Sequence, residues 1–189
     1  VLFSSSVYLA TEAIIRFGSS KQKNHWLPRL ASGEIVATFA MAEKPGQTPV
    51  AHLQTQYDQE ALTGQKMPIP DALIADIAIV LAKDTSGAPL LCVCELDQSG
   101  VTREAVATLD MSRGHGRLIF NGASADALTA NAFNETGLER LMDGAAVLLA
   151  WEQLGIAETA LQQACDYAKE RYAFGRAIGS FQAIKHKLA

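Results

Sequence analysis

The sequence predicts an α+β protein with a helical N-terminal segment, a middle antiparallel β-barrel domain and the start of a C-terminal helical bundle. Two changes in the apolar pattern indicate this division. Residues 1–34 and 134–189 repeat their apolar positions at helical spacing, whereas residues 35–133 form short β-rich runs separated by Gly, Pro, Asp and Asn. We therefore predict three domains: the end of a helical domain at 1–34, the β-barrel at 35–133 and the beginning of a second helical domain at 134–189.

The N-terminal segment has the pattern of two helices. Gly18 is placed to end the first helix in a left-handed cap, and Ser19 or Ser20 can cap the second, which Gly33 closes. The middle segment has five candidate strands, which are Ile35–Glu43, Ala61–Met67, Ala75–Leu81, Leu90–Glu95 and Arg117–Asn121.

The C-terminal segment starts with one long predicted helix, which runs from Glu135 towards Ala168 without a proline. A glycine-marked turn follows, and another helix begins near Phe181. The helical pattern is still running at Ala189 and the chain does not begin with Met. We therefore expect the sequence to be part of a longer protein.

Composition excludes several functional classes. Sixteen Lys and Arg residues against twenty Asp and Glu give a net charge of −4, so we expect no nucleic-acid partner. The longest apolar run, Ala145–Trp151, is too short for a membrane span. Three cysteines cannot form a complete disulfide framework and favour a reducing, cytoplasmic location. The four histidines have no mutual metal-ligand spacing, so we predict no metal site.

Residues 167–182, with the sequence YAKERYAFGRAIGSFQ, form the most specific motif. They place a guanidinium and an aromatic ring at a helix end, a combination suited to a diphosphate and an adenine or ribose. The string resembles the acyl-CoA dehydrogenase signature R-x-x-F-G-[RK]-x-[IL]-x-x-F-Q. Stretches at 18–34 and 155–164 also agree with this family in the same order, so the resemblance covers nearly the whole chain.

The resemblance implies FAD as cofactor. In this family the residues that match Arg171 and Phe174 reach across a subunit interface to the diphosphate end of the neighbour's FAD, and the residue that matches Gln182 lies close by. The alternative interpretation of the same residues is a surface salt bridge, a core ring and a turn glycine.

Residues 37–48, ATFAMAEKPGQT, resemble the family motif F-A-x-T-E-P-x-x-G-S-D, whose strand binds the pyrimidine edge of the flavin. The resemblance implies cofactor contacts from Phe39, Met41 and Ala42, and from Thr48, which stands in for the loop Ser of the family. The family Thr is replaced by Ala42, which removes one hydroxyl, although the backbone donors of Met41 and Ala42 remain.

Residues 64–71, GQKMPIPD, resemble G-x-K-x-W-I-T-N, in which the Trp covers one face of the flavin and the Thr bonds its edge. Pro68 and Pro70 replace both residues and also lack N–H donors. The positions facing the chain's own flavin have therefore changed, while Arg171, Phe174 and Gln182 are kept for a neighbour's flavin.

Family chemistry removes the α-proton of an acyl-CoA thioester with a glutamate while hydride leaves the β-carbon for flavin N5. In some members that glutamate lies on the long helix, at the position of Ala145 here, and in most others it lies well beyond the signature. We assign no catalytic residue and expect the base beyond Ala189 or absent.

The resemblance thus predicts an acyl-CoA dehydrogenase-like subunit in a homo- or hetero-oligomer, a dimer of dimers, with an acyl-CoA substrate and an acceptor like electron-transfer flavoprotein. One form makes this chain the non-catalytic partner that lends Arg171 and Phe174 to a neighbour. Two alternatives stay open: a self-sufficient dehydrogenase with its base downstream, and a non-enzymatic binding or structural subunit.

Overall fold

The computed structural model describes residues 3–46, 50, 52–110, 112–130 and 133–189 of the 189-residue chain. The chain divides into two compact units, residues 1–145 and 146–189.

Unit one begins with three helices, α1 (Phe3–Thr11, wound as a π-helix), α2 (Glu12–Phe17) and α3 (Ser20–Ser32). Ser19 caps α3 in a reciprocal arrangement with Gln22, in which each side chain accepts a hydrogen bond from the other residue's backbone N–H. Gly33 ends the helix with a φ of 73°, a left-handed conformation that glycine adopts without steric cost.

The backbone conformation of Gly18 differs from the prediction. It ends α2 in an extended conformation, with φ −72° and ψ 141°, and not in a left-handed cap. The need for glycine comes from crowding, because a Cβ atom there would lie 2.6 Å from the carbonyl oxygen of Ile14, which accepts the Gly18 N–H.

Eight strands of the described residues form one sheet in the order β6-β7-β3-β2-β4-β5-β8, and β1 pairs with β4 off this path. The strands are β1 (Ala37–Ala40), β2 (Gln56–Asp58), β3 (Ala61–Pro70), β4 (Ile77–Lys83), β5 (Pro89–Glu95), β6 (Val101–Val106), β7 (His115–Ser124) and β8 (Asp126–Ala127). Most pairs are antiparallel, but β4 runs parallel to both β1 and β2.

The predicted α+β class is confirmed, whereas the closed β-barrel is not. The sheet is open: in the described part of the chain, the end strand β6 pairs only with β7 and the other end strand, β8, pairs only with β5. β8 is two residues long, too short to form the ladder that a closed barrel needs.

Two apolar cores lie on opposite sides of β1 and β4, because alternate residues of a strand face opposite ways. One core packs the helices against the sheet and includes Ile14, Phe39, Ile79 and Leu141. The other is formed by the strands themselves and includes Ala40, Leu62 and Phe120, among others. The end of β1 is therefore anchored on both faces.

The long helix α4 (Glu135–Glu170) starts in unit one and supplies most of unit two. It is followed by a hairpin of β9 (Tyr172–Ala173) and β10 (Arg176–Ala177), a 3₁₀ turn at Ile178–Ser180 and α5 (Gln182–Leu188). Several large apolar side chains on the second part of α4 are exposed, including Trp151, Leu154, Ile156 and Leu161. Within the residues described, no helix has both the length and the apolar character that crossing a membrane requires.

We expect replacement of Gly64 on β3 by alanine to lower the stability of the chain measurably. It has a φ of 144°, and a Cβ atom there would lie 2.7 Å from the Cα atom of buried Thr55. Gly87 also has a positive φ, 87°, but nothing lies within 4 Å of its Cβ position. We expect Gly87→Ala to lower the free energy of unfolding by roughly 1 kcal/mol, and Gly64→Ala to lower it by roughly twice that or more, because steric overlap adds to backbone strain. Denaturant titration measures both, and equal losses would contradict this account.

Candidate functional site

The end of β1 and the residues after it carry three of the predicted cofactor contacts. The side chain of Phe39 is only 4% exposed and packs in the core between the helices and the sheet. Met41 packs partly against the same core, and Ala42 is half-buried. These two residues therefore bring their backbone, and not a polar side chain, to the edge of the sheet.

The backbone of Met41 and Ala42 is held through its carbonyl groups. The Met41 carbonyl accepts a hydrogen bond from Nζ of Lys66 at 3.2 Å, and the Ala42 carbonyl accepts from the Met67 N–H at 2.8 Å. Within the described residues, neither the Met41 N–H nor the Ala42 N–H donates to a protein acceptor. Two adjacent donors are thus left for a ligand.

A buried ion pair joins this segment to β3. Lys66 has a fully buried side chain, Glu43 is 10% exposed, and Nζ lies 3.0 Å from Oε1 of Glu43. Glu43 also accepts hydrogen bonds from the Gln54 N–H at 2.8 Å, the Thr55 N–H at 2.8 Å and the Thr55 hydroxyl at 2.7 Å. The carboxylate therefore ties three separate stretches of chain together.

Both pKa values of this pair depart from their ordinary values. Burial lowers the pKa of Lys66 to about 8, because the loss of water outweighs the attraction of Glu43. Burial alone would raise the pKa of Glu43, but the hydrogen bonds from Thr55 and the charge of Lys66 outweigh it and lower that pKa. The pair is ionised at neutral pH.

Pro68 lies on β3 at a place where the strand does not need the missing N–H group. The pairing of β3 with β7 shifts register between Lys66 and Ile69, so Pro68 lies in a bulge. The Pro70 carbonyl accepts a hydrogen bond from the Thr38 hydroxyl at 2.6 Å. Neither proline supplies the aromatic face or the hydroxyl that the family motif has here. The predicted contact Thr48 lies outside the described residues.

The hairpin of unit two presents Phe174. Its two-residue turn consists of Phe174 and Gly175, with φ values of 52° and 79°. Positive φ at both central positions is typical of a type I′ turn, for which Asn and Gly are preferred. A bulky ring in this conformation is strained, yet the ring is 96% exposed.

Backbone hydrogen bonds fix Arg171, the first residue after α4. Its N–H donates to the Tyr167 carbonyl and its own carbonyl accepts from the Ile178 N–H, both at 2.8 Å. The Arg171 side chain is exposed, as is that of Gln182 at the start of α5. Unit two therefore carries Arg171, Phe174 and Gln182 on one continuous helix–hairpin–helix segment.

A second aromatic residue, Phe181, supports the hairpin. The guanidinium of Arg176 lies 4.0 Å from the centre of the Phe181 ring, and this ring meets Phe174 edge-on with 6.2 Å between centroids. Sequence reasoning gave neither Arg176 nor Phe181 a role of its own.

Sequence reasoning also missed the Glu43–Lys66 pair, although both residues lie within the quoted motifs. A signal was available. Lys66 follows Leu62 and Gly64 at the two-residue spacing of one strand face, and Leu62 is an inward-facing residue. A lysine on that face requires a buried anion as its partner.

Comparison with known proteins identifies the family. Residues 1–34 match the family model "Acyl-CoA dehydrogenase, N-terminal domain", and residues 136–189 match "Acyl-CoA dehydrogenase, C-terminal domain". A relative that is 34% identical over 100% of this chain decides the question. The chain belongs to the acyl-CoA dehydrogenase family.

Individual members of the acyl-CoA dehydrogenase family resemble the chain along its whole length. It is 34% identical over 190 residues to acyl-CoA dehydrogenase FadE27 of Mycobacterium tuberculosis, covering 100% of this chain and 50% of that protein. A glutaryl-CoA dehydrogenase from Mycobacterium smegmatis in complex with FADH2 superposes with a TM-score of 0.86 at 25% identity, covering 98% of this chain and 50% of the other. The ChsE4-ChsE5 complex from Mycobacterium tuberculosis gives a TM-score of 0.81 at 30% identity, with 100% and 50% covered. The chain spans about half the length of these relatives.

The lowered pKa of Glu43 makes the stability of this acyl-CoA dehydrogenase family member depend on pH. Because its pKa is lower in the folded chain than the ordinary value of 4.5, the unfolded chain binds more protons near and below that value. The stability contributed by Glu43 is therefore present above pH 4.5 and lost as the pH falls through the folded pKa. We expect Glu43→Gln to show a shallower loss of stability on acidification than the unaltered chain. Thermal unfolding across this range tests it.

The control for the pH experiment is Glu139→Gln, which changes an exposed glutamate of the same unit. Its acid profile should follow that of the unaltered chain. If Glu43→Gln and Glu139→Gln show the same loss of stability on acidification, the ionisation of Glu43 does not contribute to stability as we expect.

Proposed function

We propose that the chain is a subunit of an FAD-dependent acyl-CoA dehydrogenase that carries out α,β-dehydrogenation of an acyl-CoA thioester. When bound, FAD accepts the hydride that leaves the β-carbon. Family membership supports this proposal, as does the FADH2 in the glutaryl-CoA dehydrogenase that the chain resembles. The electron acceptor of the proposal is a protein like electron-transfer flavoprotein.

The observation that carries the proposal is the exposed ring of Phe174 in a strained turn. A turn of this type forms at lower cost with Asn or Gly, so folding alone does not favour phenylalanine. A ring and a guanidinium, Phe174 and Arg171, suit the diphosphate and ribose of a dinucleotide. We assign both residues, with Gln182, to the FAD of a neighbouring subunit in a dimer of dimers.

The chain also retains part of a site for its own flavin. The Met41 and Ala42 amides fit the carbonyl-bearing edge of a pyrimidine ring, because both donors lack a protein acceptor in the described residues. The side chains of Ala42, Pro68 and Pro70 do not fit, since they offer neither the ring face nor the hydroxyl groups of the family Trp and Thr residues, and the two prolines also lack a backbone N–H. We also assign Phe39 and Thr48 to contacts with this flavin.

The general base is not assigned to this chain. Ala145, at the helical position where some members carry the glutamate, is a buried alanine and cannot take a proton. We propose that the base lies outside residues 1–189 or is lacking. The division into helical, β and helical domains at 1–34, 35–133 and 134–189 is part of the same proposal.

A second candidate function is that of a non-catalytic partner in a heteromer, or of a structural subunit without flavin chemistry. The specific observation in its favour is the loss of three flavin-facing groups at Ala42, Pro68 and Pro70, while Arg171 and Phe174 are kept. The resemblance to one chain of the ChsE4-ChsE5 complex, which contains two different proteins, is compatible with this role.

The FAD content of the purified protein separates the two candidates. In the leading proposal, visible flavin absorbance corresponds to about one FAD per chain without any added protein. The non-catalytic partner binds no FAD alone and contributes to a flavin site only when a second, different chain is added. Absence of flavin under both conditions would contradict the leading proposal and the role of non-catalytic partner, and would leave only a structural subunit without flavin chemistry.

Phe174→Asn tests the role of the exposed ring. Asn relieves the backbone strain of the turn, so we expect thermal stability to stay the same or rise. Loss of ring stacking should weaken FAD binding about tenfold, which corresponds to ~1.4 kcal/mol. Flavin fluorescence measures the dissociation constant in the FAD-binding assembly.

The matched control for Phe174→Asn is Tyr167→Ala, which removes another exposed aromatic side chain of unit two. We expect no change in FAD affinity for the control. An unchanged affinity in Phe174→Asn, with normal folding, would remove the main support for the proposed function.

A further inference from the structure

Lys66 is a charged side chain with no exposure to solvent. Burying an ammonium group costs several kcal/mol unless it is paired and hydrogen-bonded. A purely apolar residue would fill this strand position at lower cost, as Leu62 does on the same strand. The Lys66 ammonium contacts two groups, the Glu43 carboxylate at 3.0 Å and the Met41 carbonyl at 3.2 Å. These two contacts indicate what the charge does at this position.

Glu43 cannot follow Lys66 if the lysine moves, because three other donors hold its carboxylate. Oε2 accepts from the Gln54 N–H, and Oε1 accepts from both the N–H and the hydroxyl of Thr55. Thr55 is itself fully buried and approaches β3 closely at Gly64. The anion is therefore a fixed point, and it fixes the position of the Lys66 ammonium.

The ammonium in turn fixes a peptide plane. The Met41 C=O and the Ala42 N–H belong to the same planar trans peptide group and point in opposite directions. A hydrogen bond that holds the carbonyl therefore sets the direction of the N–H. The next peptide group is held in the same way, because the Ala42 carbonyl accepts from the Met67 N–H at 2.8 Å.

We propose that Lys66 is a positioning residue: by binding the Met41 carbonyl it aims the Ala42 N–H at a carbonyl oxygen of a planar ligand, and Glu43 holds it in place. This proposal rests on the proposed function, in which the ligand edge is the pyrimidine ring of FAD. The oriented amide supplies a donor at the residue where the family threonine hydroxyl is missing. With the hydroxyl gone, the backbone amide is the donor that residue 42 retains for the flavin edge, and its direction depends on Lys66.

Lys66→Met tests the proposal, because methionine has a similar length but no donor. Crystal structures of the FAD-free unaltered and variant proteins compare the Met41–Ala42 peptide directly. We expect the Ala42 N–H to change direction or lose order in the variant. In the FAD-loaded protein, we expect the dissociation constant measured by flavin fluorescence to rise about tenfold, the effect of one hydrogen bond.

The control is Leu62→Ala, which destabilises the same strand from the core without touching the 41–42 peptide. It should lower the unfolding temperature and leave both the peptide orientation and the FAD affinity unchanged. A general loss of stability would therefore not imitate the Lys66 effect. Equal changes in FAD affinity for Leu62→Ala and Lys66→Met would overturn the positioning role.

The readouts separate failure of this inference from failure of the proposed function. An ordered, unchanged Ala42 N–H in Lys66→Met overturns the inference whether or not FAD binds. A reoriented amide with unchanged FAD affinity also overturns it, while the proposed function stands. If the unaltered protein takes up no FAD of its own, the proposed cofactor site of this chain fails, and a reoriented Ala42 amide in the FAD-free variant still supports the control of this peptide by Lys66.

Discussion

The buried ion pair between Glu43 and Lys66 is the interaction on which the candidate site depends. It joins the segment after β1, the strand β3 and the stretch at Gln54 and Thr55, which are separated in sequence. Such a pair adds little net stability, since desolvation offsets most of the attraction, but breaking it leaves an unpaired buried charge. Its effect is to specify one backbone arrangement at the sheet edge, and the free amides of Met41 and Ala42 follow from that arrangement.

The fold was largely readable from the sequence because its main signals are local. Helical periodicity and a Ser–Gln capping pair mark α3, and short β-rich runs bounded by turn residues mark β3, β4, β5 and β7. The missed strands have weak signals: β2 has three residues, β8 has two, and β6 is rich in polar and charged residues. Whether a sheet closes depends on pairing between distant strands, which no local pattern encodes.

The site was readable only where motifs carry it. The residue string at 167–182 indicated the family, which comparison then confirmed, but it did not show that Phe174 occupies a left-handed turn. Likewise the motif containing Lys66 did not reveal that the ammonium reaches the Met41 carbonyl 25 residues earlier in the chain. Contacts of this kind depend on the three-dimensional path of the backbone. The roles of the individual site residues remain predictions.

The ring at the tip of the β9–β10 hairpin also separates what folding requires from what assembly would require. Asparagine or glycine at Phe174 would relax the backbone and lower the cost of folding. Folding of the single chain therefore gives no physical reason for an aromatic side chain at this position. Stabilising the monomer and keeping the ring are opposed aims at this one residue, so a substitution chosen only for stability would remove the ring first.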